Sequence, residues 1–338
     1  MTPRYLTAGL LLLLGTGLLP GPGRAQSDPP PSLGPLRITE RNPLYRLFLT
    51  PRGAAADPQP QGRLEIRTSG SYSNIFETST SPGHVQYFDL ERLTSTLTLE
   101  YGLAPGFELG LHLAAQTNWG GFLDGFIREY HGFLGLKNGN RDRVENGIFG
   151  LVLEHDGERK LDVPAGTRLE DPVVSATWAI FGEAGGAERV SIRSTAKLPT
   201  GSSALGTGRW NAGLELLGRR SWQRAHLHGS IGVVTLNGPE SLEIFTNYGA
   251  LTWSLAGEYR LFSRISALAQ LLGTSPYVDG FGDTELDSVP LNLVLGAAGE
   301  FGRGWLWEAS FAEDLVANGP SVDFTVDLQV GRALNLGR

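Results

Sequence analysis

The sequence predicts an all-β protein: a transmembrane antiparallel up-and-down β-barrel of about twelve strands, with a short helix in its longest extracellular loop. Three observations predict it. Apolar and polar residues alternate with a period of two through one segment after another. The connections between those segments alternate between short and long. Prolines stay out of the segments, and aromatic residues gather near their ends. Composition agrees, with 46 glycines in 338 residues, no cysteine and a formal charge of −7. That is about twice the ordinary share of glycine. Zero cysteine excludes disulfide scaffolds, thiol catalysis and cysteine metal sites. The acidic balance and the lack of a basic block argue against nucleic acid as a partner.

The chain opens on an expected signal peptide, residues 1–25. Arg4 precedes an apolar run from Leu6 to Leu14, extended by Leu18 and Leu19, and Gly23 and Ala25 stand before a cut at Gln26. No later window has eighteen unbroken apolar residues, so no membrane-spanning helix is expected. Residues 26–61 hold eight of the 20 prolines and cannot form a regular helix or a central strand. This segment is expected to be extended, either in the periplasm or tucked into the lumen. Its one patterned stretch is Asn42 to Leu49.

The barrel is expected over 62–331, with 332–338 as a tail. In its first row, Leu64, Ile66, Thr68, Gly70 and Tyr72 alternate with Glu65, Arg67, Ser69, Ser71 and Ser73. Rows starting near Leu93, Phe107, Val174, Val190, Trp210, Leu227, Leu251, Ile265, Leu291, Trp305 and Val322 repeat the pattern and bring the total to twelve. Short connections fall near Gly102–Gly106, Gly182–Glu188, Arg219–Gln223, Leu261–Arg264 and Gly302–Gly304. Long ones fall near Glu77–His84, Gly120–Arg168, Pro199–Gly208, Asn237–Asn247, Pro276–Ser288 and Asp314–Ser321. Short turns on one side and long loops on the other is the layout of an outer-membrane barrel. Two aromatic girdles are expected at the strand ends, with Trp178 and Trp253 lying further inside.

The alternating polar set faces inward. The pore-lining candidates are Glu65, Arg67, Arg92, Glu100, Glu108, His112, Arg193, Lys197, His226, His228, Glu258, Arg260, Glu300 and Glu308. Charges of both signs can simply pair across strands, or they can line a solute path. His226, His228 and Ser230 share one face. Residues two apart on a strand stand about 6.5–7 Å from each other, which is loose for direct activation of Ser230. The His-x-Ser-Asn pattern of outer-membrane phospholipases is missing, because Ser73-Asn74 follows Ser71. No catalytic residue, metal or cofactor is expected.

In the longest loop, Phe122, Leu123, Phe126, Ile127, Tyr130 and Leu134 recur at helical spacing between Gly121 and Leu136. Asp124, Arg128 and His131 lie on the other face and are the constriction candidates if this helix folds into the lumen. It can also lie on the outer leaflet or cap the mouth. Further on, Asp156-Gly157 between alternating runs reads as a hairpin turn.

The chain resembles a bacterial outer-membrane barrel family of unknown function, domain of unknown function 3187. The residues that carry the resemblance are Asn42-Pro43-Leu44, Ser73-Asn74 with Phe76, Tyr101-Gly102-Leu103, and Glu108-Leu109-Gly110. Gly120 to Asp124, with Ile127, His131, Gly135-Leu136 and Arg141, extend it. Lys197 to Gly201 with Gly206-Thr207-Gly208 is similar to a unit of outer-membrane barrels of aromatic-compound pathways. The resemblance implies a barrel and the outer membrane, and no particular substrate. Such barrels often end on an aromatic residue, whereas this chain runs past Val330 to Arg338.

These readings lead to an exported outer-membrane protein and not an enzyme. Its first expected role is a passive pore or small-solute transporter. The alternatives are a plugged structural or assembly barrel and, third, a lipid-acting hydrolase using Ser230 with His226 or His228. Expected partners are outer-membrane lipid and lipopolysaccharide, the barrel-assembly machinery and an unidentified small solute.

Overall fold

The computed structural model describes residues 31–134, 144–281, 286–315, 322 and 324–336. The expected signal peptide lies outside them. The chain runs through β1 (Arg63–Ser81), β2 (His84–Ala104), β3 (Phe107–Trp119), α1 (Asp124–Leu134), β4 (Gly150–His155), β5 (Glu158–Asp162) and β6 (Gly166–Leu169). It continues through β7 (Val173–Phe181), β8 (Glu188–Lys197), β9 (Asn211–Trp222), β10 (Ala225–Thr235), β11 (Gly249–Phe262) and β12 (Ile265–Thr274). It ends with β13 (Leu291–Gly302), β14 (Trp305–Asp314) and β15 (Phe324–Asn335).

Twelve of the described strands, β1–β3 and β7–β15, form a closed antiparallel barrel. Closure comes from β1 and β15, paired from Arg63 opposite Asn335 to Asn74 opposite Phe324. Every segment expected from the alternation is one of these strands. Closure lets such a wall stand in lipid: with no free edge, each backbone polar group in the wall finds a partner without water. β4 and β5 belong to the long connection after β3, and β6 pairs with β3 just ahead of β7. β4 extends the loop end of β2, with Gln86 opposite Leu153. The β4–β5 hairpin turns at Asp156-Gly157, where φ is 51° and 78°.

Three boundaries differ from expectation. Glu77–His84 is not a loop, because β1 and β2 stay paired out to Ser81 opposite His84. Polar residues at those strand ends broke the alternation that marked the rest. At the other end, residues 332–335 are rungs of β15 rather than tail, because β1 offers partners down to Arg63. Third, β6 and β7 are one wall strand interrupted by a bulge. Leu169 faces Ala115 and Val173 faces His112, so Glu170, Asp171 and Pro172 stand against two residues of β3. A bulge tolerates the missing N–H of Pro172.

The two faces differ as alternation requires. On β9, Leu214 and Leu216 are 53% and 44% exposed, whereas Glu215 and Arg219 between and beyond them are 4% and 7%. Leu109, Leu255, Leu295 and Leu328 are exposed in the same way around the outer wall. A continuous apolar belt of this kind is a liability in water and the solvated face in lipid. Trp178 stands opposite Phe107, so it joins the turn-end girdle and does not sit deeper. Trp253 is within its strand, and its ring lies across Gly273 of β12, where a side chain would collide with it.

Candidate functional site

The lumen is occupied. Residues 31–62 enter it from the turn end, reach the loop end, fold back and leave at the start of β1. Entry is held by β11: Arg260 donates to the Pro31 carbonyl, and Glu258 accepts from Ser32 Oγ (2.6 Å) and from the backbone N–H of Leu33 (3.0 Å) and Gly34 (3.1 Å). At the tip is one short 3-10 turn, Tyr45–Leu47. Asn42 opens it, accepting the Leu44 N–H at 2.8 Å and donating to Glu77 at 2.9 Å. On the way back Ser191 donates to the Ala56 carbonyl at 2.5 Å, and Glu108 accepts the Gln59 N–H at 2.9 Å. The two limbs meet where the Gly53 N–H donates to Ile38 at 3.1 Å. A proline-rich limb cannot extend a sheet, so its backbone groups are satisfied by inward side chains of the wall.

The tip and the limbs are held by different forces. Leu44, Tyr45, Leu47, Phe48 and Leu49 are buried with Ile75, Phe88 and Leu90 of the wall and with loop residues Leu242, Phe245 and Tyr277. Tyr277 stacks on Tyr45 at 4.4 Å and meets Phe48 edge-on at 5.7 Å. The limbs are held by charge. Arg37 reaches Glu100 (2.5 Å) and Glu65 (3.4 Å), and Arg52 reaches Glu100 (3.0 Å). Arg41 pairs with Asp327 (3.4 Å), and Arg46 pairs with Glu170 in the wall bulge.

Wall charge is sorted around the barrel. Glu308, Asp327, Glu65, Glu100 and Glu108 lie on the adjacent strands β14, β15, β1, β2 and β3. Arg189, Arg193, Lys197, Arg219 and Arg260 lie on β8, β9 and β11. Arg67 and Arg92 on the first arc, and Glu215 and Glu258 on the second, soften the contrast. Glu65 stands directly opposite Glu100, and Arg189 directly opposite Arg219. Like charges in direct opposition destabilise a strand pair. The hairpin supplies a counter-ion to each: Arg37 to the two carboxylates, and Asp57 to the two guanidiniums, at 2.6 Å from Arg219 and 4.0 Å from Arg189.

The candidates read from sequence all project inward, but against the hairpin rather than into an open pore. All of them except His112 and Glu300 are buried. Arg67 pairs with Glu65, Arg92 donates to Asn118 and to the Arg41 carbonyl, and Arg193 lies 3.8 Å from Glu215. Lys197 pairs with Asp171, and the Glu308 carboxylate accepts the Arg37 N–H at 2.7 Å. His112 bonds Thr98 at 3.0 Å beside a cavity of about 40 Å³, and Glu300 lines a larger cavity at the turn end. Ser230 bonds Ser254 at 2.7 Å. His226 turns to Ser221, and His228 to Ser32 and Glu258. The serine and histidines are therefore not assembled for nucleophilic catalysis.

The helix forms as expected but is not a constriction. Phe122, which leads into α1, approaches Tyr72 at 6.4 Å, and Tyr72 approaches Trp119 at 5.8 Å. Tyr72 and Trp119 belong to outward rows, so the start of α1 lies on the outer wall, with Phe122 and Phe126 exposed. Asp124 accepts the Gly147 N–H at 2.8 Å and Arg128 donates to Asn146 at 2.7 Å; the side chain of His131 lies outside the described set. Glu91 fixes the helix. This outward carboxylate is 1% exposed, accepts from the Tyr72 hydroxyl and takes the N–H groups of Phe122 (2.8 Å) and Leu123 (2.5 Å). Glu91→Ala removes the charged acceptor of two partly buried N–H groups, a loss of about 1.5–3 kcal/mol. Amides of α1 are then expected to exchange roughly tenfold faster or more, with the barrel strands unchanged.

Sequence reading missed Glu91, Glu170, Asp171 and the four hairpin arginines. The arginines gave one signal: four cations in a short proline-rich stretch need acidic partners, and the inward rows held them.

Comparison with known proteins agrees with this architecture. Residues 22–331 match the family model described as protein of unknown function (DUF3187), and the chain belongs to that family. No curated protein matches the sequence. Among solved structures, the COG4313 outer membrane channel from Pseudomonas putida F1 is similar at 16% identity and TM-score 0.55, over 82% of this chain and 98% of that one. The NanC porin (9% identity, TM-score 0.43, 81% and 100% covered) and the P. putida toluene transporter TodX (8%, 0.42, 84% and 94%) are more distant. The first likeness shows the fold, that of an outer-membrane barrel.

Proposed function

We propose that this member of the family is an outer-membrane channel for small polar solutes, held closed by its own N-terminal hairpin. The apolar belt and aromatic girdles support residence in an outer membrane, with the turn end in the periplasm. One observation carries the reading: the hairpin runs the length of a polar lumen, leaving cavities of about 40 Å³ along it and one of about 380 Å³ at the turn end. A permanently open pore does not fit an occupied lumen, so the passive-pore expectation becomes a gated one.

Magnitudes decide which part moves. The limbs hold by ion pairs and hydrogen bonds that water replaces when both partners are wetted, so their net hold is modest. The tip buries five large apolar side chains at roughly 1.5–3 kcal/mol each, on the order of 10 kcal/mol together. The limbs are the less firmly held part and the tip anchors them, so the resting protein is expected to be electrically silent. A permanently plugged structural barrel is the second reading, and the same apolar tip favours it.

Because the chain has no cysteine, an Ala56→Cys, Ser191→Cys pair can lock the returning limb. The test places it with Phe48→Ala in planar bilayers. The channel reading expects brief openings when the pair is reduced and none when it is oxidised. Silence of the well-folded variant in both states leaves only the structural reading.

A further inference from the structure

We infer that the turn-end cavity is a binding site for small carboxylates, in which Asp57 acts as a tethered stand-in for the free ligand. The inference deepens the channel reading by naming the chemical class of solute, and rests on that reading for the solute's route.

The cavity measures about 380 Å³, within the range of small-molecule pockets. Its lining includes Arg37, Arg63, Arg67, Arg189 and Arg219, against Asp57, Glu65 and Glu300. Arginine is in excess, and arginine forks match carboxylates in a two-bond geometry.

The unpaired capacity lies with the guanidiniums. Arg189 and Arg219 oppose each other across β8 and β9 and share the single carboxylate of Asp57. The share is unequal. Arg219 is bonded closely through Nε at 2.6 Å and through a second nitrogen at 3.2 Å, whereas Arg189 is 4.0 Å away. Arg189 is 8% exposed, yet its Nε has no hydrogen-bond partner. Arg63 Nε, in the same lining, is likewise buried without one. Arg189 also donates through Nη1 to the Gly182 carbonyl, so its free Nε leaves room for one further acceptor.

Asp57 itself shows which acceptor fits, because it is a carboxylate already seated there. It is also the weakly sheltered member, since its side chain is 32% exposed while that of Arg219 is 5% exposed. It sits on the returning limb, between Ala56, held by Ser191, and Gln59, held by Glu108. A free carboxylate that takes Arg189 and Arg219 therefore displaces Asp57 and releases that limb. Solute and gate then compete for the same two guanidiniums. Tethering gives Asp57 an effective concentration of about millimolar or more, so the intact protein binds free carboxylate weakly.

The test is calorimetric titration of the full chain in detergent, with succinate as probe and neutral succinamide as control. Asp57→Ala removes the tethered competitor and is expected to bind succinate at least tenfold more tightly than the parent, with succinamide silent. Adding Arg189→Gln to Asp57→Ala is expected to reverse the gain. Equal succinate affinity in parent and Asp57→Ala, or equal binding of succinamide, overturns the inference. If Asp57→Ala does not fold, Arg189→Gln in the parent must weaken succinate binding at least threefold, and unchanged binding overturns the inference. The readout is independent of conductance. Failure here with openings still controlled by the cysteine lock removes the carboxylate site and leaves the channel reading standing.

Discussion

Glu100→Ala is expected to open the hairpin to trypsin. In the parent, Arg37 and Arg52 converge on this carboxylate, at 2.5 Å and 3.0 Å. Arg37 keeps Glu65, but Arg52 then retains only Thr98, at 2.8 Å. Removing one partner of a buried ion pair strands the other charge, at about 3–5 kcal/mol. The limb relieves that by moving its guanidinium into water, which requires leaving the wall. The folded parent should resist trypsin at Arg37 and Arg52 over hours, and Glu100→Ala should be cut there first while the barrel remains intact. Equal resistance in both proteins would show that the limbs are not held by charge.

Phe48→Ala should act on the tip with similar size. Phe48 is 2% exposed, edge-on to Tyr277, in a cluster shared by hairpin, wall and loops. Emptying such a site destabilises by about 3–5 kcal/mol. The loss is local to the tip, since the wall closes through its own hydrogen bonds. Hydrogen exchange should accelerate a hundredfold or more at the amides of Leu47 to Leu49, with little change in β9 to β13. An accelerated wall and an unchanged tip would mean that the hairpin is part of the barrel's own stability and not a separable closure.

The wall was legible because its physics is local. A residue such as Leu214 or Glu215 faces lipid or lumen by parity alone, and parity is written in the sequence. The Asp156-Gly157 turn and the α1 helix were legible for the same reason, through short-range backbone preference and period. What fills the lumen was not. Arg37 and Glu100 are 63 positions apart, and Asp57 and Arg219 are 162 apart; no periodicity links them. The side of the wall taken by α1 was open as well, since an amphipathic helix suits a lumen or a leaflet equally until the neighbouring surface is known. Glu91 shows the limit of parity. It occupies an outward position where a charge is out of place, and only the N–H groups of Phe122 and Leu123 above it make it stable.

The separation of tip and limbs also bears on assembly. The barrel alone would leave Glu65 facing Glu100 and Arg189 facing Arg219, so a wall without its hairpin carries two repulsive pairs. Seating the hairpin brings a counter-ion to each pair, Arg37 to the carboxylates and Asp57 to the guanidiniums. This couples wall to plug without any covalent link and gives the hairpin a defined register in the lumen.

The most direct measurement of the central claim, that the hairpin closes the lumen, uses the absence of native cysteine. Thr325 faces inward on β15, is 0% exposed and bonds Ser73 across the strand pair. Thr325→Cys should react with a water-soluble maleimide at least a hundredfold more slowly than Asp156→Cys in the exposed β4–β5 turn. Comparable rates at the two positions would mean that water and reagent pass freely along the lumen and that the hairpin does not close it.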